Sequence, residues 1–242
     1  MHFSDFKVMS FDCYGTLIDW ESGLFAALAP LLAQLGSRVD RGRALEAFAE
    51  FESHQQAETP TTLYSDLLAA VYRRLARDWG VAASDEECRR FGRSIPDWPA
   101  FPDTVEALRY LKQRHKLVIL SNVDRTSFAA SNKRLGVAFD AIYTAEDIGS
   151  YKPDPRNFAY MLERLKAQGY ERCDILHVAQ SLFHDHAPAD AAGLTSVWID
   201  RRHDAEGRGA TTPPKEMPRY ARRFASLADL VAAHREELAT RG

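Results

Sequence analysis

The chain has 242 residues, 45% hydrophobic and 27% charged, the make-up of a soluble globular protein with one large domain or a core plus an insert. A net charge of -3 offers no basic surface for nucleic acid or an anionic membrane, and no apolar run approaches the roughly 20 residues that span a bilayer. The opening MHFSDFKVMS lacks the layout of a signal peptide, and the three cysteines, Cys13, Cys88 and Cys173, show no paired metal-ligand spacing, so reduced thiols in a cytoplasmic protein are expected.

In chain order, the first expected strand is FKVMSF (6–11), followed by the turn DCYGTLID. From about residue 20 to residue 98 no strand pattern occurs. Instead GLFAALAPLLAQLG, GRALEAFAEFESHQQ, LYSDLLAAVYRRLARDWG and SDEECRRFGRSI read as successive helices. The proline- and aromatic-rich PDWPAFPD (96–103) returns the chain to alternating elements. There follow a helix over 103–115 with Asp103 as N-cap, a strand over 116–120, a helix over 125–136 closed by Gly136, and a strand over 141–144. A helix over 155–169, strands over 175–179 and 196–199, a polar loop over 203–219 and a last helix over 226–240 complete the chain.

Alternating strands and helices predict right-handed crossovers and a parallel sheet covered on both faces, an α/β fold of Rossmann-like type. Residues 1–19 and 99–242 are expected to form that core, and residues 20–98 an inserted helical cap domain. Ligands of open parallel sheets bind beyond the carboxyl ends of the strands. Four strand ends carry polar residues there: Asp12; Ser121 and Asn122; Lys152 in GSYKPDP; and Gln180, Ser181, His184 and Asp185.

FDCYGTL, VILSN, YKPDP and HVAQSLFHD, in that order and each at a strand end, resemble the four motifs of the haloacid dehalogenase (HAD) superfamily, and within it the type II 2-haloacid dehalogenases. The resemblance covers nearly the whole chain. It implies that Asp12 is a covalent nucleophile, neutralised and aimed by Lys152, with Asp185 orienting or activating water. Backbone amides of the turn at Gly15 and near Ser121, with the hydroxyls of Thr16 and Ser121 and the amide of Asn122, would hold the anionic end of the substrate.

The superfamily's phosphatases usually carry a second aspartate two positions after the nucleophile, and here Tyr14 stands in its place. A halide leaves as an anion and needs no proton, so a site without that acid suits carbon–halogen cleavage. The phosphatases' fourth motif typically opens with Gly-Asp, which supplies a ligand for Mg²⁺; this chain has Ala179 and Gln180, and a neutral amide is a poor ligand for a hard cation. No metal and no cofactor are therefore expected. The expected partner is a small halogenated carboxylic acid, and related enzymes are often homodimers. An HAD-type phosphatase and a non-catalytic member binding a small acid are the alternatives.

Several positions depart from the well-known type II enzymes. Their cap arginine aligns near Ala47, with Arg43 a turn earlier; their Ser-Ser-Asn run reads Gln180, Ser181, Leu182; and a tyrosine is replaced by Phe158. Trp20, Trp98, His54, Gln55 and His184 are the candidate replacements for halide contacts, alongside Tyr14, Gln180 and Ser181 at the substrate.

Overall fold

The structure, a computed structural model, describes residues 1–241. Five strands fall where apolar runs predict them: β1 (Val8–Phe11), β2 (Lys116–Ser121), β3 (Ala141–Thr144), β4 (Ile175–Ala179) and β5 (Thr195–Ile199). A sixth, β6 (Arg222–Phe224), was not expected; two arginines and a phenylalanine on an edge give no apolar signature. All pairs are parallel in the order β3-β2-β1-β4-β5-β6. The chain therefore builds outward from β1 in one direction and, from β4, in the other. The reversal between β1 and β4 opens a crevice at their carboxyl ends, where Asp12 sits.

The segment between β1 and β2 is helical: α1 (Trp20–Ala27), α2 (Ala29–Ala33), α3 (Arg41–Glu58), α4 (Tyr64–Asp78) and α5 (Asp85–Gly92). The first predicted helix is two. It starts early, at Trp20 with Asp19 accepting from the Ser22 amide, and breaks at Leu28, before Pro30 restarts it. The predicted helices of the core appear as α6 (Thr104–Lys112), α7 (Arg125–Leu135), α9 (Arg156–Ala167) and α11 (Leu227–Arg241), with short α8 (Ala145–Ile148) and α10 (Ala187–Ala191) between them.

Insert and sheet share one hydrophobic cluster, which runs from Met9, Phe11 and Leu117 through Leu17 and Trp98 to Phe48 and Leu67. The two places where the chain leaves and re-enters the sheet layer are paired: Ile18 bridges Ala100, the Asp19 amide donates to Pro99 at 2.8 Å, and the Phe101 amide to Leu17 at 3.1 Å. Trp98 is fully buried beside this junction, edge-on to Tyr14 at 5.5 Å and pressed against Gly23 of α1.

A Cβ at Gly23 would lie 2.4 Å from the ring of the fully buried Trp98. Alanine here gains about 1 kcal/mol of helix preference but forces an overpacked contact costing about 1–3 kcal/mol. Gly23→Ala is expected to lower the urea midpoint of unfolding despite being the better helix former.

Candidate active site

A buried cation organises the carboxyl ends of β1, β2 and β4. Lys152, 1% exposed, donates through Nζ to Asp12 Oδ1 at 3.0 Å, Asp185 Oδ1 at 2.6 Å and the Leu120 carbonyl of β2 at 2.9 Å. Its backbone is clamped by Asn122, whose Oδ1 accepts from the Lys152 amide at 2.6 Å while its Nδ2 donates to the Lys152 carbonyl at 2.9 Å. The amide of Asn122 is thus engaged at both ends, so it fixes the lysine's position directly.

Asp12 follows β1, its amide donating to Val178 of β4. Thr16, four residues on, turns its hydroxyl back to Asp12 Oδ2 at 2.7 Å and accepts from the Gln180 amide at 2.9 Å. Gly15 at φ +91° makes this turn possible, and a Cβ there would come within 3.0 Å of Trp20 and 3.2 Å of Gln180. The Gly15 amide itself donates to the Ile18 carbonyl at 2.8 Å, so it closes the turn and is not free to receive a substrate carboxylate.

Asp185 lies on a π-helical turn (Leu182–His186) after Ser181, whose hydroxyl accepts from the His184 amide at 3.0 Å. The wide turn sends His184 and Asp185 to the cavity while His186 points back to Ser196 and the Ala179 carbonyl. Behind Asp185 a relay runs from its Oδ1 to His177 Nε2 at 3.0 Å and from His177 Nδ1 to Ser10 at 2.9 Å. Three buried polar atoms at the site lack a partner among the described residues: Asp185 Oδ2, His184 Nε2 and Ser121 Oγ.

These contacts separate the two carboxylates. Burial would raise Asp185, but Lys152 and the His177 bond hold it well below the ordinary range, so it is ionised at neutral pH in the resting site. Burial and the nearby Asp185 charge raise Asp12 above its usual value despite the lysine. Burial works against the Lys152 charge, yet the two carboxylates together keep it protonated. Asp12 is therefore the more basic carboxylate of the pair and the better electron-pair donor. Burial also lowers His184 to about 4, so its imidazole is neutral at pH 7.

One small cavity of about 50 Å³ opens on this triad. Of the residues picked from sequence, Asp12, Tyr14, Trp20, Asn122, Lys152, Gln180, Ser181, His184 and Asp185 line it. Tyr14 does so with its hydroxyl tied to Ser131 at 2.9 Å. Thr16 lies beneath Asp12, and Ser121 is enclosed at the end of β2. Trp98 and Gln55 do not line the cavity; Gln55 is bonded to Thr59. His54 is a correction: it is exposed on the outer face of α3, in a different groove with Arg43 and Ala47. The inward face of α3 presents Glu52 and Gln56 instead.

Sequence reading missed Glu52, Gln56, Tyr64, Ala210 and Thr211, all of which line the cavity. Ala210 and Thr211 belong to the polar loop, which is bound to the insert. The Ala210 amide donates to Glu21 at 2.7 Å, Arg202 pairs with Glu21 at 2.5 Å, and Ser53 and Thr212 share a 2.9 Å hydrogen bond.

The donor set does not suit Mg²⁺. Both Asp12 and Asp185 have Oδ1 committed to the lysine, and Gln180 supplies a neutral amide that lies near Thr211.

Glu52 is buried with no cation beside it among the described residues, and burial raises it from 4.5 to about 7 against the opposing bond from Tyr64. The unfolded chain releases this proton near 4.5 and the folded chain near 7, so the native state binds more protons between these values. Stability from this group therefore falls as pH rises through that window and stays reduced above it. Glu52→Gln is expected to raise unfolding free energy by about 2–4 kcal/mol at about pH 8 and to leave it unchanged at about pH 4, measured by urea titration.

Residues 6–178 match the haloacid dehalogenase-like hydrolase family. An (S)-2-haloacid dehalogenase of Pseudomonas putida is 27% identical over 209 residues, 81% of this chain and 85% of that one. The (S)-2-haloacid dehalogenase 4A of Burkholderia cepacia is 29% identical over 198 residues, 79% of this chain and 82% of its own. The solved L-2-haloacid dehalogenase of Xanthobacter autotrophicus with chloropropionic acid covalently bound superposes with a TM-score of 0.76 at 19% identity, covering 98% of this chain and 99% of that one, a likeness of fold. Fold, family match and relatives agree, and the chain belongs to the haloacid dehalogenase-like hydrolases.

Proposed function

We propose that this hydrolase cleaves the carbon–halogen bond of small 2-haloacids through an ester on Asp12, releasing 2-hydroxy acids. The observation that carries this is the Asp12–Lys152–Asp185 triad beside a residue, Tyr14, that offers no carboxyl acid for an oxygen leaving group. Relatives named (S)-2-haloacid dehalogenases, and a neighbour whose chloropropionic acid is covalently bound, support the same reading. The phosphatase alternative finds no support in the donors around Asp12.

In the first step a carboxylate oxygen of Asp12 attacks the halogen-bearing carbon in line, and halide departs with the bonding electrons. The raised basicity of Asp12 favours attack, while Thr16 and Lys152 fix its plane. Ser121 Oγ and His184 Nε2, the unpartnered atoms, supply neutral donors for the substrate's polar ends. Trp20 provides apolar surface for the halogen, and the helical insert, residues 20–98, acts as the cap that excludes water.

Esterification removes the charge of Asp12 and leaves Lys152 facing the new carbonyl. Water held by the free Oδ2 of Asp185 attacks that carbonyl and passes a proton to Asp185 as the oxyanion forms against Lys152. Collapse expels the hydroxy acid's oxygen, which takes the proton back from Asp185. Asp12 is left as an acid and ionises to solvent. The substrate carbon is attacked once, so its configuration inverts.

A single turnover in H₂¹⁸O with enzyme in excess is expected to place ¹⁸O in Asp12 and leave the hydroxy acid unlabelled. Label in the product alone would mean direct attack by water and would sink the mechanism. Asp12→Asn, a near isostere without a nucleophilic oxygen pair, should release no halide while unfolding like the parent. Asp185→Asn keeps the shape of the site but removes the charge that aims the water. It should slow ester hydrolysis more than ester formation, so that mass spectrometry finds substrate adduct on the protein.

A further inference from the structure

Glu52 and Gln56 project from successive turns of α3 into the cavity that holds Asp12, Lys152 and Asp185. Glu52 is only 4% exposed, and one of its oxygens, Oε1, accepts from the Tyr64 hydroxyl at 2.6 Å. No hydrogen bond to its other oxygen and no ion pair to its carboxyl is seen among the described residues. Among the described residues Lys152 is the one cation lining the cavity, and it is already shared between two carboxylates.

The charge around Glu52 is correspondingly one-sided. From the sheet side come Asp12, Asp185 and Lys152, together one net negative charge, with His184 neutral and Tyr14 protonated. From α4 comes Tyr64, and against it packs Tyr151, with Asp124 and Asp66 adding negative charge further along that seam. The other groups on this part of α3, His54 and Glu58, are on its exposed side. An ionised Glu52 would leave a small anionic substrate facing three carboxylates and one ammonium. A neutral Glu52 removes that repulsion and offers an O–H donor in its place.

We propose that Glu52 is a specificity-determining residue that admits a small carboxylate as the neutral acid and repels one as the anion, with Tyr64 holding it in place for both. This rests on the dehalogenase reading of the cavity. Burial, working against the Tyr64 bond that favours the anion, puts the change near pH 7.

The test compares 2-chloropropionate with uncharged 2-chloropropionamide from about pH 6 to about pH 9 on the full chain, as wild type and Glu52→Gln. For the acid, wild-type kcat/KM is expected to fall about tenfold per pH unit above about pH 7, through KM; the glutamine variant and the amide substrate should not show that fall. Tyr64→Phe, which removes the bond favouring the anion, should move the fall to higher pH. A flat wild-type profile, or the same alkaline fall in Glu52→Gln, overturns the proposal. Infrared titration assigns the group directly: a carboxyl band persisting to about pH 7 in the wild type and missing in Glu52→Gln supports the proposal, and a band present equally in both, or lost near 4.5, overturns it.

Should no halide appear with either protein, it is the dehalogenase reading that fails. The gate is then read from calorimetric binding of 2-chloropropionate. Binding that weakens with pH in wild type and not in Glu52→Gln sustains it, and binding equal or absent at both ends of the range overturns it.

Discussion

The Lys152 ammonium is the constraint around which the sheet's upper rim is arranged. Burying a cation this deeply costs several kcal/mol unless anions and acceptors surround it. The chain meets that demand with one carboxylate from the end of β1, one from beyond β4 and a carbonyl from β2. Those three strands are neighbours only in the order β2-β1-β4, so the topology and the triad require one another. The arrangement leaves a surplus negative charge in the interior, which no stability argument favours. A surplus of this kind marks a candidate functional centre and not a structural ion pair.

Asymmetry between the two carboxylates follows from what stands behind each. Asp185 has the shorter lysine contact and the His177–Ser10 relay at its back; Asp12 has only the Thr16 hydroxyl. Two chemically identical groups a few ångströms apart are thereby given different basicity by their hydrogen bonds. The opposite wall of the cavity comes from elsewhere in the chain: Glu52, Gln56 and Tyr64 from the insert and Thr211 from a loop more than a hundred residues further on. The charged triad and the wall that faces it thus come from separate parts of the sequence.

That division also explains what the sequence disclosed. Apolar runs bounded by turns marked five strands, and the rule that ligands gather at strand ends collected Asp12, Ser121, Lys152 and Asp185 without knowledge of contacts. The wall was hidden for a different reason. On α3 the choice between His54 and Glu52 depends on helix rotation, and a helix with buried polar residues gives no clear apolar stripe to set it. Glu52 reads as a surface residue because glutamate nearly always is one. Strand β6 escaped through its arginines, one of which pairs with Asp200, and Arg201 escaped because nothing local shows that it grips Asp103 and the Thr16 carbonyl. The Gly15 turn was foreseen, but the use of its amide on Ile18 is a matter of backbone geometry that composition cannot carry.

The junction between insert and sheet is anchored on the turn that carries Asp12. Leu17 receives the returning chain through the Phe101 amide and the Thr104 hydroxyl, Arg201 holds the Thr16 carbonyl, and the Thr16 side chain steadies Asp12. Between Leu17, at the pivot on which the helices would swing, and Asp12, whose oxygen would react, lie only residues 13–16. Such a short lever transmits angle with little loss. A tilt of the insert would reach Thr16 as torsion of the turn itself, so that closure over a ligand and alignment of the Asp12 carboxylate would become a single mechanical event.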